Sequence, residues 1–162
     1  MDKLWAPWRS KYITKVGSIK GCIFCSKPKS KKDRTNHIVC RSRHSFSILN
    51  IYPYNNGHMM IVPYRHVNDI AKLNDEEILD LMHLLKSSQE LLSKTMHPDG
   101  YNIGANIGRA AGAGLKDHVH IHLVPRWIGD SNFMPVFTST KVISESLDAL
   151  YGRLKKCSRA GK

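Results

Sequence analysis

Apolar and polar positions recur along this chain with two periods, and the changes of period mark its elements. "HIVCRS", "SFSILN" and "HMMIVP" are short runs rich in β-branched and apolar residues, the last two joined by the turn-rich "IYPYNNG". They predict an antiparallel meander. From residue 74 the period lengthens: Ile78, Leu81, Met82, Leu85 and Leu92 repeat at helical spacing. Ahead of them stand Asn74, a good cap, and Asp75, Glu76 and Glu77, acids that suit the positive end of a helix. This helix should reach Met96 and stop near Pro98 and Gly100. "YNIGANIG" predicts a further strand, and Val142 to Lys156 a last amphipathic helix. The stretch 117–127, "DHVHIHLVPRW", returns to a period of two. Val119, Ile121 and Leu123 should therefore face a core, with His118, His120 and His122 together on the opposite face. Residues 26–36, "SKPKSKKDRTN", are polar, basic and broken by proline, and predict a mobile surface loop. Strands grouped around one long helix imply an α+β fold: an antiparallel β-sheet with the long helix and a C-terminal helix. Residues 1–162 should form one domain, with 1–36 a basic N-terminal segment.

Composition narrows the class. The 162 residues are 41% hydrophobic and 23% charged, ordinary for a globular chain able to bury a core without disulfides. No apolar run is long enough for a signal sequence or a membrane span, so the expected setting is cytoplasmic, away from membranes. Cys40 and Cys157 read as plain thiols in a reducing compartment. Twenty-five Lys and Arg against thirteen Asp and Glu leave a net charge of +12. Residues 1–44 hold twelve of these bases and only Asp2 and Asp33 as acids. Such a field favours an anionic partner, either a nucleotide or a nucleic acid. Base stacking would call for aromatics among the charges, but residues 26–44 hold many bases with Phe46 only just beyond them, so a nucleic-acid module is the less favoured reading.

Three histidines at a spacing of two cannot hold one ion. At ~3.3 Å of rise per residue the first and third are ~13 Å apart, so their tasks must differ. Cys22 and Cys25 form a Cys-x-x-Cys, which by itself fits a zinc site, a redox pair or coincidence. It lacks the βαβ setting of a thioredoxin-like motif. A tetrahedral site needs two more ligands, and His66, at a strand end, and His118 are the preferred candidates, giving a structural Cys2His2 zinc site. The loop 104–114, "GANIGRAAGAG", has four glycines, among them Gly112 and Gly114, whose backbone N–H groups can close around phosphate. A neutral imidazole is a competent nucleophile toward phosphorus. One histidine for metal, one to attack and one to hold phosphate is the division these residues suggest.

The pattern His-x-His-x-His followed by "LVPRW" resembles the histidine triad superfamily of nucleotide hydrolases and transferases. The likeness extends from "LWAPWR" and "CIFC" through "YPYNNGHMMIVPYRHV" to "GLKDHVHIHLVPRWIGDSNF", and is similar to the bacterial branch that includes diadenosine tetraphosphate phosphorylases. It implies an antiparallel sheet with helices, a homodimer, and His120 as the nucleophile of a covalent nucleotidyl-histidine. It further implies that His122 and His58 contact phosphate, that Asn50 binds ribose, and that Asn106 is an active-site asparagine. Zinc-bearing members of the family match at Cys22, Cys25, His66 and His118. Two departures stand out. Asn50 occupies a position where many small phosphoramidate hydrolases carry Asp, which favours dinucleoside polyphosphates as substrates. Gly114, Leu115 and Lys116 replace a Gln-Ser that aids the leaving group, so the proton donor is open. Arg109, Lys116 and Arg126 are candidates to hold inorganic phosphate as a second substrate. A repair enzyme that removes adenylate from nucleic-acid ends is a minor alternative.

Overall fold

The structure, a computed structural model, describes residues 21–108, 110–112, 117–130 and 143–160. Five strands form one antiparallel sheet: β1 (Ile38–Arg41), β2 (Ser45–Leu49), β3 (Met59–Pro63), β4 (Gly100–Ala105) and β5 (Ile121–Arg126), in the order β1-β2-β3-β5-β4. The last of these enters between β3 and β4, so the histidine-bearing segment leads into an interior strand of the sheet. Helices α1 (Ile23–Lys29) and α2 (Asp33–Asn36) precede β1, α3 (Asp75–Met96) joins β3 to β4, and α4 (Leu147–Ala160) closes the described chain. The fold class is the α+β architecture expected from the pattern.

Alternation along the strands splits the core in two. Leu49, Met59, Ile61, Ile121 and Leu123 face Leu81, Leu85 and Leu92 of α3 and Leu150 and Leu154 of α4. On the other face Ile38, Phe46, Ile48, Met60 and Val62 pack with Phe24 of α1. Each fully buried leucine contributes roughly 1.5–3 kcal/mol.

α3 starts where Asn74 predicts. The Asn74 side chain accepts from the Glu77 N–H at 2.9 Å, and Glu77 Oε2 accepts from the Asn74 N–H at 2.9 Å, a full capping box. Its buried stripe differs from the expected one: Glu77, Leu81, Leu84, Leu85, Ser88, Leu91 and Leu92 turn inward, while Ile78 and Met82 are 36% and 49% exposed. Arg65 draws Glu77 inward through two short ion-paired hydrogen bonds, which rotates Ile78 outward.

Three expectations need correction. Residues 26–36 are largely helical, because α1 buries Phe24 and Pro28, and Asp33 of α2 makes a bidentate ion pair with Arg41 of β1. Arg41 also donates to the Pro28 carbonyl at 2.9 Å, so a polar, basic stretch is tied down from the sheet side. The ladder of β5 begins only at Ile121, which leaves His118 and His120 at its mouth; both are buried. The last helix begins at Leu147, where Ser146 Oγ accepts from the Ala149 N–H at 3.2 Å; Val142 lies outside the described residues. Among the described residues no helix is long and apolar enough to cross a membrane.

Candidate functional site

Two clusters meet at the mouth of β5. The first grows from α1. Cys22 is the extended residue that caps the helix and Cys25 lies in its first turn, so both thiols stand at the same end of α1. His66 follows β3 by three residues. His118 is brought to it by the Val119 N–H, which donates to the Val67 carbonyl at 2.7 Å and pins the approach of β5 against the segment after β3.

Four side chains converge there. Cys22 Sγ lies 3.2 Å from His118 Nδ1, Cys25 Sγ lies 3.4 Å from His66 Nδ1, and the two Nδ1 atoms are 3.3 Å apart. All four ligand atoms fall within 4.8 Å of one another. Bonds of about 2.0–2.3 Å in a tetrahedron would set ligands roughly 3.3–3.8 Å apart, so the spacing suits one four-coordinate ion. His118 Nε2–H donates to the Pro63 carbonyl at 2.9 Å, which leaves its Nδ1 lone pair for the cluster. Burial keeps the His118 pKa below its ordinary value, in the neutral form a ligand needs. Burial and the adjacent Cys22 push the Cys25 thiol up; a cation among the four would remove that penalty. Cys22, Cys25, His66 and His118 could thus hold a metal ion.

The second cluster is built on His58. Gly57 before it has φ +77°, which is what makes glycine the residue for this turn, and a Cβ there would also press on Met96 Sδ at 2.7 Å and Pro125 Cγ at 3.1 Å. The Tyr54 N–H donates to His58 Nδ1 at 3.0 Å, which places the His58 proton on Nε2. That proton is donated to His122 Nδ1 at 2.9 Å, and the His122 proton therefore sits on Nε2. His120 is oriented the other way: Nδ1–H donates to the His118 carbonyl at 3.0 Å, so Nε2 carries the lone pair. Burial lowers its pKa, which keeps the ring neutral. The His120 and His122 rings meet edge to face at 4.7 Å. At Nε2 the two rings thus differ: His120 carries a lone pair there and His122 a proton.

The remaining expected residues are placed unevenly. Asn50 Oδ1 accepts from the Tyr52 N–H at 2.9 Å, and its Nδ2 is 3.4 Å from His58 Nδ1, within the same cluster. Asn106 comes one residue after the Ala105–Ile121 pair, level with His120, and is half-buried. Gly112 is exposed in a turn with φ +77°. Gly114, Arg109 and Lys116 lie outside the described residues. Arg126 is not beside the histidines: six residues along from His120, or ~20 Å, it is paired with Asp130 at 2.6 and 2.7 Å and bound to Asn102 at 2.7 Å. Its candidacy as a phosphate ligand near His120 is withdrawn.

Two contributors escaped the sequence reading. Tyr54 packs against His58 at 4.6 Å and His122 at 5.5 Å, and its place in "YPYNNGH", four before His58, was the available signal. Phe24 lies between the two cysteines and touches His118 and His120.

An antiparallel five-stranded sheet with alternate histidines at the entry of its fourth-position strand is the arrangement of the histidine triad class of nucleotide hydrolases and transferases. The chain belongs to the HIT family: residues 31–127 match the HIT domain. It is 34% identical over 154 residues to an AP-4-A phosphorylase of Mycobacterium tuberculosis, covering 91% of this chain and 79% of that protein. Among solved structures it is similar to a hypothetical histidine triad nucleotide-binding protein from Sulfolobus tokodaii, with TM-score 0.67, 27% identity, and 86% and 90% of the two chains covered. A Zn-bound histidine triad family protein from Mycobacterium smegmatis shares the fold at TM-score 0.69 and 20% identity, covering 88% of this chain and 98% of that one.

Proposed function

We propose that this protein cleaves dinucleoside polyphosphates, diadenosine tetraphosphate first among them, through a covalent nucleotidyl-His120. The observation that carries the reading is the opposed orientation of two adjacent imidazoles: the lone pair of His120 on Nε2, the proton of His122 on Nε2. In this reading His120 Nε2 attacks the α-phosphorus, an N–P bond forms, the P–O bond to the bridging oxygen breaks, and ATP departs with that bond's electrons. His122 donates to a phosphoryl oxygen, where charge accumulates. His58 holds His122 in the required tautomer, and Asn50 and Asn106 bind the nucleoside. Gly112 and Gly114 are the glycines whose backbone N–H groups this reading assigns to the phosphates. A polyphosphate terminus ionises near ~6, as phosphate monoesters do, so it can leave without a strong acid. That suits a chain in which Gly114, Leu115 and Lys116 offer no hydroxyl.

The nucleotidyl group is then released to inorganic phosphate or to water. Likeness to an AP-4-A phosphorylase favours phosphate. Zinc is the ion that two thiolates and two neutral imidazoles suit best, held by Cys22, Cys25, His66 and His118. There it would supply cross-linking of α1 to the approach of β5, with no part in the chemistry. We read the protein as a single domain acting in the cytoplasm as a homodimer. Among the described residues β4 is an edge strand, and Ile103 on it is 50% exposed, which supports pairing with a second copy. The nucleic-acid reading gains nothing from Phe46, which is fully buried and stacked on Tyr64 at 5.3 Å.

The test is product analysis with and without inorganic phosphate, alongside intact-mass measurement of the stalled enzyme. Diadenosine tetraphosphate should add one adenylyl group, and phosphate should accelerate turnover to ADP and ATP. AMP and ATP at a rate indifferent to phosphate would make the protein a hydrolase. Absence of any adduct and any turnover would refute the reading.

A further inference from the structure

The residue between the two cysteines carries more than the Cys-x-x-Cys motif requires. A metal pair needs only the spacing of Cys22 and Cys25; the two positions between them are free to be anything that fits a first helical turn. Here the second is Phe24, 1% exposed, with its ring centroid 5.5 Å from that of His118 at 78° and 5.0 Å from that of His120 at 57°. Its far side joins Ile38, Ile48, Met60 and Val62 in the core beneath the sheet. The ring therefore cannot move without disturbing either the thiol cluster at its own backbone or the apolar core behind it. Among the described residues, one polar restraint acts on the His120 ring, the bond from Nδ1 to the His118 carbonyl. One hydrogen bond fixes the tautomer but leaves the ring free to rock about it. A second contact, on the ring plane, is needed to fix where Nε2 points.

We propose that Phe24 is a positioning residue for His120: held on either side by Cys22 and Cys25, its ring forms the wall that fixes the direction of His120 Nε2. This rests on the reading of His120 as nucleophile, and it makes the thiol cluster a distant part of the active site. The cluster holds α1, α1 holds Phe24, and Phe24 holds His120. The His120 ring also meets His122, edge to face at 4.7 Å, but His122 is not tied to α1 and so does not link His120 to the thiol cluster.

The competing account is that Phe24 is merely core. Phe46 provides the matched control: the same residue type, in the same apolar cluster and fully buried, but stacked on Tyr64. In zinc-loaded protein, Phe24→Leu and Phe46→Leu should lower the thermal midpoint by similar amounts and retain bound zinc. Only Phe24→Leu should slow single-turnover nucleotidylation of His120, by about tenfold to a hundredfold, with nucleotide affinity changed less than about twofold. A second readout does not depend on the substrate. In long-range 15N correlation spectra at fixed pH, His120 should keep its Nδ1–H tautomer in all three proteins, with sharp signals in the wild type and in Phe46→Leu and exchange-broadened signals in Phe24→Leu, where the ring rocks. Equal rate losses in the two variants, or a His120 signal unaltered by Phe24→Leu, would overturn the proposal. If the wild type makes no adduct with diadenosine tetraphosphate, the substrate reading fails, and the imidazole spectra still decide the role of Phe24.

Discussion

Two imidazoles two residues apart differ because their Nδ1 atoms meet different partners. That of His120 gives its proton to a backbone carbonyl and that of His122 receives one from His58, so chemically identical side chains present opposite faces at Nε2. His120→Ala should therefore abolish nucleotidyl transfer, by about a thousandfold or more, while nucleotide binding by calorimetry stays within a few-fold. His122→Ala should cost less, on the order of a hundredfold, because it removes one donor from a charged transition state. Near-normal rates in the His120 variant would end covalent catalysis through that residue. The alternation of His118, His120 and His122 was open to view in the sequence, and so was the conclusion that one ion could not bind all three. The tautomers were not, because they depend on Tyr54, His58 and a carbonyl brought together only by the turn at Gly57 and the pairing of β3 with β5.

At the scale of elements, local signals were legible wherever one segment carried them whole. α3 is the clear case, since its cap, acids and apolar period all lie within one stretch of chain. Its facing was not legible, because Glu77 is turned inward by Arg65, twelve residues earlier. The same pair gives the helix a pH dependence. Arg65 holds the Glu77 carboxyl well below its ordinary value of 4.5, at about 2. A carboxyl depressed on folding stabilises the native state above its unfolded pKa, and that contribution fades as pH falls through the folded one. Glu77→Gln should thus be less stable than wild type at neutral pH, with the gap in urea midpoint narrowing as pH drops below ~4.5. A gap constant from neutrality to acid would show that the ion pair contributes nothing. Residues 26–36 illustrate the opposite limit. Their polar, basic composition says loop, and only Phe24 underneath and Arg41 across from Asp33 make them helical.

For the whole molecule, the decisive arrangement is that α1 is fastened to the sheet at one place by polar groups and at another by Phe24. Cys22 and Cys25 are separated from His118 by more than ninety residues of chain, so a cation there would close a long loop and restrict the unfolded ensemble as a cross-link does. Without the cation the four groups crowd two thiols against two imidazoles in a half-buried space, an arrangement the unfolded chain need not tolerate. Chelation of the purified protein should therefore lower the thermal midpoint by several degrees or more, with recovery when zinc is returned. The Cys22→Ser, Cys25→Ser double variant should show the lowered midpoint from the start, bind no stoichiometric zinc and gain nothing from added metal. If Phe24 transmits the state of the cluster, the chelated protein should also show exchange-broadened His120 ring signals at temperatures well below its new midpoint, before any global unfolding. A chelated protein with an unchanged midpoint would mean that Phe24, Pro28 and the Arg41 contacts hold α1 unaided, and the four ligands would then need another explanation.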